Sequence, residues 1–251
     1  VQQLLNIIYE DADLLVVNKP ADLVCHPTKG DEYSSLISRV RIYLGPDVSC
    51  HLVNRLDRET SGVTFLTKNS ATAGQLGKLW EARAVEKEYL AIVHGTVRDE
   101  SGSIELPLGK DEKSIISVKD CVRSDGTPAK TQFYVLKRFT REIPGFDGPL
   151  SFTLLRVVPQ TGRKHQIRIH LQAVGHPIVG DKLYGGDEDL YLALAQHRLT
   201  DEQRTRLILP NQALHAAAIR LSWRGENCEF LAEPEEFFKS FANDGVIAIP
   251  G

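Results

Sequence analysis

Short apolar runs alternate with polar punctuation along the chain, and their period changes from region to region. Ile7-Ile8-Tyr9 and Leu14-Leu15-Val16-Val17 are split by Glu10-Asp11-Ala12-Asp13 and closed by Lys19-Pro20, which predicts a strand pair around an acidic turn. Leu36, Ile37, Val40 and Leu44 then fall at helical spacing within Ser34 to Leu44, and Gly45-Pro46 ends that helix. Val63 to Thr67 reads as a short strand. Ser70 is suited to cap a helix running to about Arg83, with Ala73, Leu76, Leu79 and Trp80 as its apolar stripe.

The second half is richer in strands. Glu88 to His94 predicts a strand, and Ile104 to Phe139 predicts hairpins joined by turns such as Ser124-Asp125-Gly126. Arg141 to Pro149 carries paired Pro and Gly and reads as a loop. Phe152, Leu154, Arg156 and Val158 alternate with Thr153, Leu155 and Val157, so both sets are largely apolar, which suits a strand buried on two faces. Pro159-Gln160-Thr161-Gly162 then turns into a helix predicted from Lys164 to Val174, with Gly175 just past its end. Leu214 to Trp223 and Glu229 to Ala232 predict two more strands, and Pro234 opens a short closing helix. Regular βαβ alternation is missing. The expected fold class is therefore α/β (α+β), with a mixed, largely antiparallel central sheet flanked by helices and loops.

Composition narrows the class of protein. The chain has 251 residues, enough to bury roughly 70–75% of its apolar surface in one large domain or two small ones. Hydrophobic residues at 42% and charged residues at 25% are ordinary for a globular protein. No apolar run approaches the roughly 20 residues of a membrane span, so no membrane partner is expected. Cys25, Cys50, Cys121 and Cys228 lack the paired spacing of a zinc site or disulfide framework. Reduced, mostly buried thiols and a cytoplasmic location are the expectation. A net charge of −3 argues against a general nucleic-acid binder. Yet Arg156 to His170 holds four Lys or Arg residues and no acid, and affinity for RNA depends on the phosphates neutralised locally.

Two polar blocks remain unexplained by core or turn formation. Asn54-Arg55-Leu56-Asp57-Arg58-Glu59-Thr60-Ser61-Gly62 sets one carboxylate between two arginines. Alone, that is a surface ion pair. About a hundred residues later, Thr161-Gly162-Arg163-Lys164-His165-Gln166-Ile167-Arg168-Ile169-His170 is rich in donors and free of acids. Together the blocks suggest an anionic substrate and one carboxylate that does chemistry.

Arg55 to Gly62 resembles the catalytic motif of RNA pseudouridine synthases of the RluA type. Lys87-Glu88-Tyr89-Leu90-Ala91-Ile92-Val93-His94-Gly95 resembles the family's second motif, and Thr161 to Gly185 its third. Asn18-Lys19-Pro20 and Leu214-His215-Ala216 are similar to its opening and closing signatures. The resemblance runs over about residues 5 to 240. It implies a single catalytic domain over 1–251 with an active-site cleft and the pseudouridine synthase fold; many members of the family carry an S4-like RNA-binding domain at the N-terminus, and none is seen in this sequence. Two letters depart from the family pattern: Asn54 stands where His is usual, and Asp22 where Gly is usual. Neither is a residue the chemistry needs, so only local turn geometry and subfamily are touched.

The resemblance implies site roles residue by residue. Asp57 would be the catalyst, attacking the sugar or the base or acting on a proton at C2′. Tyr89 would stack on the target base, and Arg168 would pair with the catalytic carboxylate and keep it ionised. Two roles suit Arg55: filling the space left by a flipped uridine, or contacting phosphate. Arg163, Lys164, His165 and Gln166 would meet phosphate at a helix N-terminus, with structural hydrogen bonding an equal alternative for His165 and Gln166. The implied enzyme isomerises uridine to pseudouridine in structured RNA, with ribosomal large-subunit RNA the first expectation and transfer RNA the second. It would act as a monomer, with RNA as partner and without metal or small-molecule cofactor.

Competing chemistries fail on spacing. His165 and His170 are five apart, which splits them across a helix. Gly109-Lys110 lacks the remainder of a phosphate-binding loop, and no Gly-x-Ser-x-Gly elbow occurs. An RNA-binding factor that has lost activity would be expected to lack Asp57, Tyr89 or Arg168, and all three are present. A glycoside-cleaving hydrolase would need a second carboxylate, and beyond the Asp57 block these motifs offer only Glu88 and Asp181.

Overall fold

A computed structural model describes residues 4–27 and 34–242. In its first half the strands are β1 (Ile7–Glu10), β2 (Leu14–Lys19), β3 (His51–Leu52), β4 (Ser61–Thr67) and β5 (Val85–His94), with helices α1 (Leu36–Leu44) and α2 (Ser70–Glu81). Then come β6 (Ser101–Ile104), β7 (Leu108–Lys110), β8 (Asp120–Val122), β9 (Thr131–Arg141) and β10 (Leu150–Pro159). Helices α3 (Gln166–Ala173), α4 (Asp189–Ala195) and α5 (Asp201–Leu207) precede β11 (Leu214–Trp223), β12 (Glu226–Leu231) and α6 (Glu236–Ala242). The fold is mixed α+β with mostly antiparallel strands, as the apolar pattern predicts. The chain divides into two compact units, Val1–Glu88 with His215–Gly251, and Tyr89–Leu214.

The first unit is layered on both faces of its sheet. β2 pairs antiparallel with β1 and β4, β4 runs parallel to β11, and β12 pairs antiparallel with β11. The run Leu14-Leu15-Val16-Val17 is apolar throughout because its two alternating sets serve two cores. Leu14 and Val16 join Val63, Phe65, Leu76 and Phe230 on the α2 side. Leu15 and Val17 join Leu36, Val40 and Leu66 on the α1 side. Every residue of β4 is buried, so the segment directly after Asp57 is anchored in the centre of this unit. The parallel pairing is unusually close at Gly62, where φ is +119° and an added Cβ would lie 2.2 Å from the Ala216 carbonyl oxygen. Only glycine permits that approach.

The second unit is built on β10. Phe152 to Val157 pair antiparallel with His94 to Tyr89 of β5, and β10 pairs on its other side with β9, which in turn pairs with β6. The hairpin β7–β8, Ile116 and Ala129 pack with Ile169 of α3, Leu183 and Tyr184 in one core cluster.

Several boundaries differ from expectation for local reasons. The cap of α2 is Asn69, whose side chain accepts from the Thr72 N–H, so Ser70 is the first helical residue. α3 begins at Gln166, two residues late, because His165 adopts the left-handed conformation (φ +55°), which an α-helix excludes. Gly175 follows it with φ +85°, as predicted. β12 starts at Glu226 and α6 at Glu236. The short helices α4 and α5 and the two-residue β3 were not expected; the Thr200–Gln203 capping box of α5 was their clearest signal. The cysteines are free, but only Cys25 is buried. Cys121 and Cys228 lie on short peripheral strands, and Cys50 on the connection into β3, where full burial is unavailable.

Candidate active site

Asp57 lies on the loop entering β4, half-buried between buried Leu56 and buried Glu59. Its carbonyl accepts from the Thr60 N–H at 3.1 Å, closing a tight turn just before the strand. The loop around it is fastened through its backbone. The Cys25 Sγ lies 3.4 Å from both the N–H and the carbonyl of Leu56, accepting from one and donating to the other. The Lys19 ammonium donates to the carbonyls of Arg58 at 3.1 Å, Leu23 at 2.8 Å and Pro20 at 2.7 Å. Asn54 accepts from the Phe65 N–H at 2.8 Å and donates to the Val63 carbonyl at 3.3 Å, so its amide imitates a neighbouring strand. That explains how this chain accommodates Asn at position 54.

Lys19 was not expected in this role. It is fully buried, and burial pulls its ammonium down to about 8, against the pull of Cys25, Glu235, Asp57 and Asp22 in the other direction. The missed signal was a charged residue closing an otherwise apolar strand. His215 is a second buried polar residue missed in this way, near the start of β11: its Nε2 faces the Ala232 carbonyl at 2.8 Å and its Nδ1 faces the Ser61 Oγ at 2.8 Å. A carbonyl only accepts, so Nε2 carries the proton and Ser61 donates to Nδ1. Burial holds this imidazole down at about 4, so it is neutral and ties the start of β4 to the end of β12.

Arg55 is exposed, as either expected role requires. Arg58 reaches Asp22 at 2.7 Å on the surface. Asp22 sits at φ +62°, which accounts for the glycine that the family pattern favours there. The acidic side chain thus exchanges backbone ease for an exposed ion pair.

In the second unit Tyr89 occupies β5 opposite Val157 and is half-buried. Arg168 is buried in the first turn of α3 and makes a two-pronged contact with Asp181, Nε to Oδ2 at 2.7 Å and Nη2 to Oδ1 at 2.8 Å. Its guanidinium also lies 4.9 Å from the Tyr184 ring centre. Burial pushes the Asp181 carboxyl up, but Arg168 and the N–H groups of Tyr184 and Leu183 outweigh it and leave it below the ordinary range.

The remaining donors of the Thr161–His170 block divide by role. Gln166 is buried, and its amide joins Thr161 Oγ1 at 2.7 Å, the Arg163 N–H at 3.0 Å, and the Lys130 carbonyl and Thr131 Oγ1, both at 2.9 Å. Such saturation makes it a structural brace. His165 places Nδ1 2.9 Å from the Tyr184 hydroxyl. Lys164 and Arg163 are exposed, with Lys164 2.8 Å from Asp120 and Arg163 donating to the Pro128 carbonyl. The acid-free run of sequence is therefore partly neutralised by Asp120 and Asp181 from elsewhere in the unit.

The chain and its fold have counterparts among known proteins. A family model for RNA pseudouridylate synthase matches residues 13–173, which include Asp57, Tyr89 and Arg168. The chain is 41% identical over 184 residues to a dual-specificity RNA pseudouridine synthase RluA of Vibrio parahaemolyticus, across 73% of this chain and 70% of that one. It is 34% identical over 221 residues to a ribosomal large subunit pseudouridine synthase D of Pseudomonas aeruginosa, across 86% of this chain and 63% of that one. Human RNA pseudouridylate synthase domain containing 1 superposes with a TM-score of 0.70 at 29% identity, covering 96% of this chain and 88% of that chain. The chain spans 56% of the length of a curated relative from Aquifex aeolicus and 72% of one from Bacillus subtilis.

Proposed function

This chain belongs to the RNA pseudouridylate synthase family, and we propose on that premise that it isomerises uridine to pseudouridine in structured RNA, with Asp57 as the carboxylate that does the chemistry. The observation that carries this reading is the fastening of the Asp57 loop. Lys19, Cys25 and Asn54 spend buried or half-buried polar groups on holding that backbone, which is what preorganisation of a reacting group demands.

The reaction breaks the bond from C1′ to N1 and forms one from C1′ to C5. The proton lost at C5 balances the one gained at N1, so no co-reactant is consumed. A carboxylate suits the positive character that develops at C1′ when the base departs. Attack on the sugar, attack on the base and proton transfer at C2′ all remain consistent with a fixed Asp57. Reaching a base within folded RNA requires flipping it at a cost of a few kcal/mol. Half-buried Tyr89 is the aromatic proposed to stack on the flipped pyrimidine, and exposed Arg55 would occupy the gap or meet phosphate. Arg168 is the cation proposed for the same chemistry, and within its own unit it is fixed by Asp181. Exposed Arg163 and Lys164, with His165, contribute contacts to the RNA backbone.

Ribosomal large-subunit RNA is the first substrate in this proposal, in keeping with the name of the Pseudomonas aeruginosa relative, and transfer RNA is the second. The enzyme acts in the cytoplasm as a monomer, without metal or cofactor. Chemical mapping of pseudouridines in RNA from cells with and without the gene tests the reading. A site in large-subunit RNA that disappears with the gene is expected. An unchanged map in both RNA classes would overturn it.

A further inference from the structure

The turn Asp181-Lys182-Leu183-Tyr184 has no role in the chemistry described so far, yet it surrounds Arg168. Burying a guanidinium in the first turn of a helix is doubly costly, through desolvation and through the positive end of the helix dipole. Asp181 offsets both, and its carboxylate is saturated in doing so. Oδ2 accepts from Arg168 Nε, while Oδ1 accepts from Arg168 Nη2 at 2.8 Å and from the N–H groups of Leu183 and Tyr184, both at 2.9 Å. Gly185 closes the turn with an N–H to the Asp181 carbonyl at 3.0 Å, and a Cβ there would lie 2.2 Å from that oxygen. Leu183 and Tyr184 pack with Ile169 of α3 in one buried cluster, so the turn is fixed against the helix that carries Arg168.

Tyr184 completes the frame. Its ring lies against the Arg168 guanidinium, and its hydroxyl accepts from the Asp120 N–H at 3.2 Å and meets His165 Nδ1 at 2.9 Å. His165 is the residue held in the left-handed conformation, and no side-chain cap of its own explains that strain. One turn thus grips two members of the donor block, the arginine by its Nε edge and ring face, the histidine by its ring.

We propose that Asp181 and Tyr184 are positioning residues: they hold Arg168 by one edge and one face so that its remaining N–H groups are presented in a single orientation for the reaction. This rests on the reading that Arg168 serves uridine isomerisation. A buried ion pair is weak evidence for stability, since apolar groups of the same shape often stabilise as well. The two-pronged geometry instead restricts direction.

The test compares wild type, Asp181→Asn and Asp181→Glu by single-turnover pseudouridine formation on large-subunit RNA lacking the modification. RNA affinity and the hydrogen exchange of the Arg168 Nε–H, followed by nitrogen-15 NMR, are measured on the same proteins. Asp181→Asn is expected to lower the rate about 100-fold, the cost of misplacing a reacting group by about 1 Å, while affinity changes less than about 3-fold. Asp181→Glu keeps the charge on a longer arm and is expected to fall between the two. The Nε–H signal is expected to be protected in wild type and to exchange rapidly in Asp181→Asn. An Asn variant within about 3-fold of wild type, or one whose loss lies wholly in affinity, would overturn the proposal. If Asp181→Asn does not fold, Asp181→Glu decides, and a rate equal to wild type overturns it. Wild type inactive on every RNA would sink the functional reading instead. The Nε–H protection then still decides whether Asp181 fixes Arg168.

Discussion

Asp57 and Arg168 are held in opposite ways. The Asp57 loop is fastened through its backbone, by Cys25 at Leu56 and by Lys19 at Arg58, while Asp57 sits half-buried at the start of the turn. Arg168 belongs to a regular helix whose backbone needs no such help, and it is gripped through its own side chain by Asp181 and Tyr184. A short aspartate has little freedom once its backbone is placed, so fixing the loop fixes the carboxylate. A long arginine carries about 2 kcal/mol of rotamer entropy and must be restrained at its tip. The length of the side chain decides where the restraint is built.

The comparison can be broken most severely at Lys19. Lys19→Met leaves three carbonyls without their donor and should cost roughly 3–5 kcal/mol of stability, together with activity at temperatures where the protein stays folded. Denaturant unfolding checks the first part and residual pseudouridine formation the second. A stable variant of normal activity would show that the Asp57 loop stands without its fastening.

A change in pH probes the same unit at His215. Unfolded, this histidine takes a proton near 6.5; folded, only near about 4. Above 6.5 both states are neutral, and below about 4 both are charged. Between them the unfolded state alone binds the proton, so stability falls as pH drops through that window, by roughly 3 kcal/mol in full. Unfolding midpoints measured from pH 7 to 4 should show this slope, and it should be flatter in His215→Gln. An equal slope in both would remove His215 as the cause.

The smallest effect sharpens the boundary of the fastening. The Arg58 side chain pairs with Asp22 only at the surface, so Arg58→Ala should cost under about 1 kcal/mol and leave pseudouridine formation within about 3-fold of wild type. Its carbonyl, the part Lys19 holds, survives that substitution. A large loss of rate would mean that the guanidinium itself belongs to the site.

Local pattern made much of this legible. The two-sided burial of β2 and β10, the helix ended by Gly45 and the left-handed Gly175 all follow from spacing and from glycine and proline chemistry. Asp57 and Arg168 lay in blocks that were polar where neighbouring strands were apolar, whereas Tyr89 was marked only by the family resemblance. What fastens them was not legible. Lys19 meets Arg58 39 positions away, Cys25 meets Leu56 31 away, and Ser61 meets His215 154 away. Pairings of that range are decided by how elements pack, and no local period encodes them. The donor block misled for the same reason, since the acids that neutralise Lys164 and Arg168 lie in other segments. His165 shows the limit at short range: a left-handed histidine held by Tyr184 delays α3 by two residues, and nothing in Arg163-Lys164-His165 announces it.

The central claim is that Asp57 performs the reaction while the rest of its loop only holds it. Single-turnover pseudouridine formation by Asp57→Ala, alongside its unfolding midpoint and its RNA affinity, tests this most directly. The account predicts no detectable product, with folding and RNA binding close to wild type. Isomerisation at a rate near wild type would contradict it.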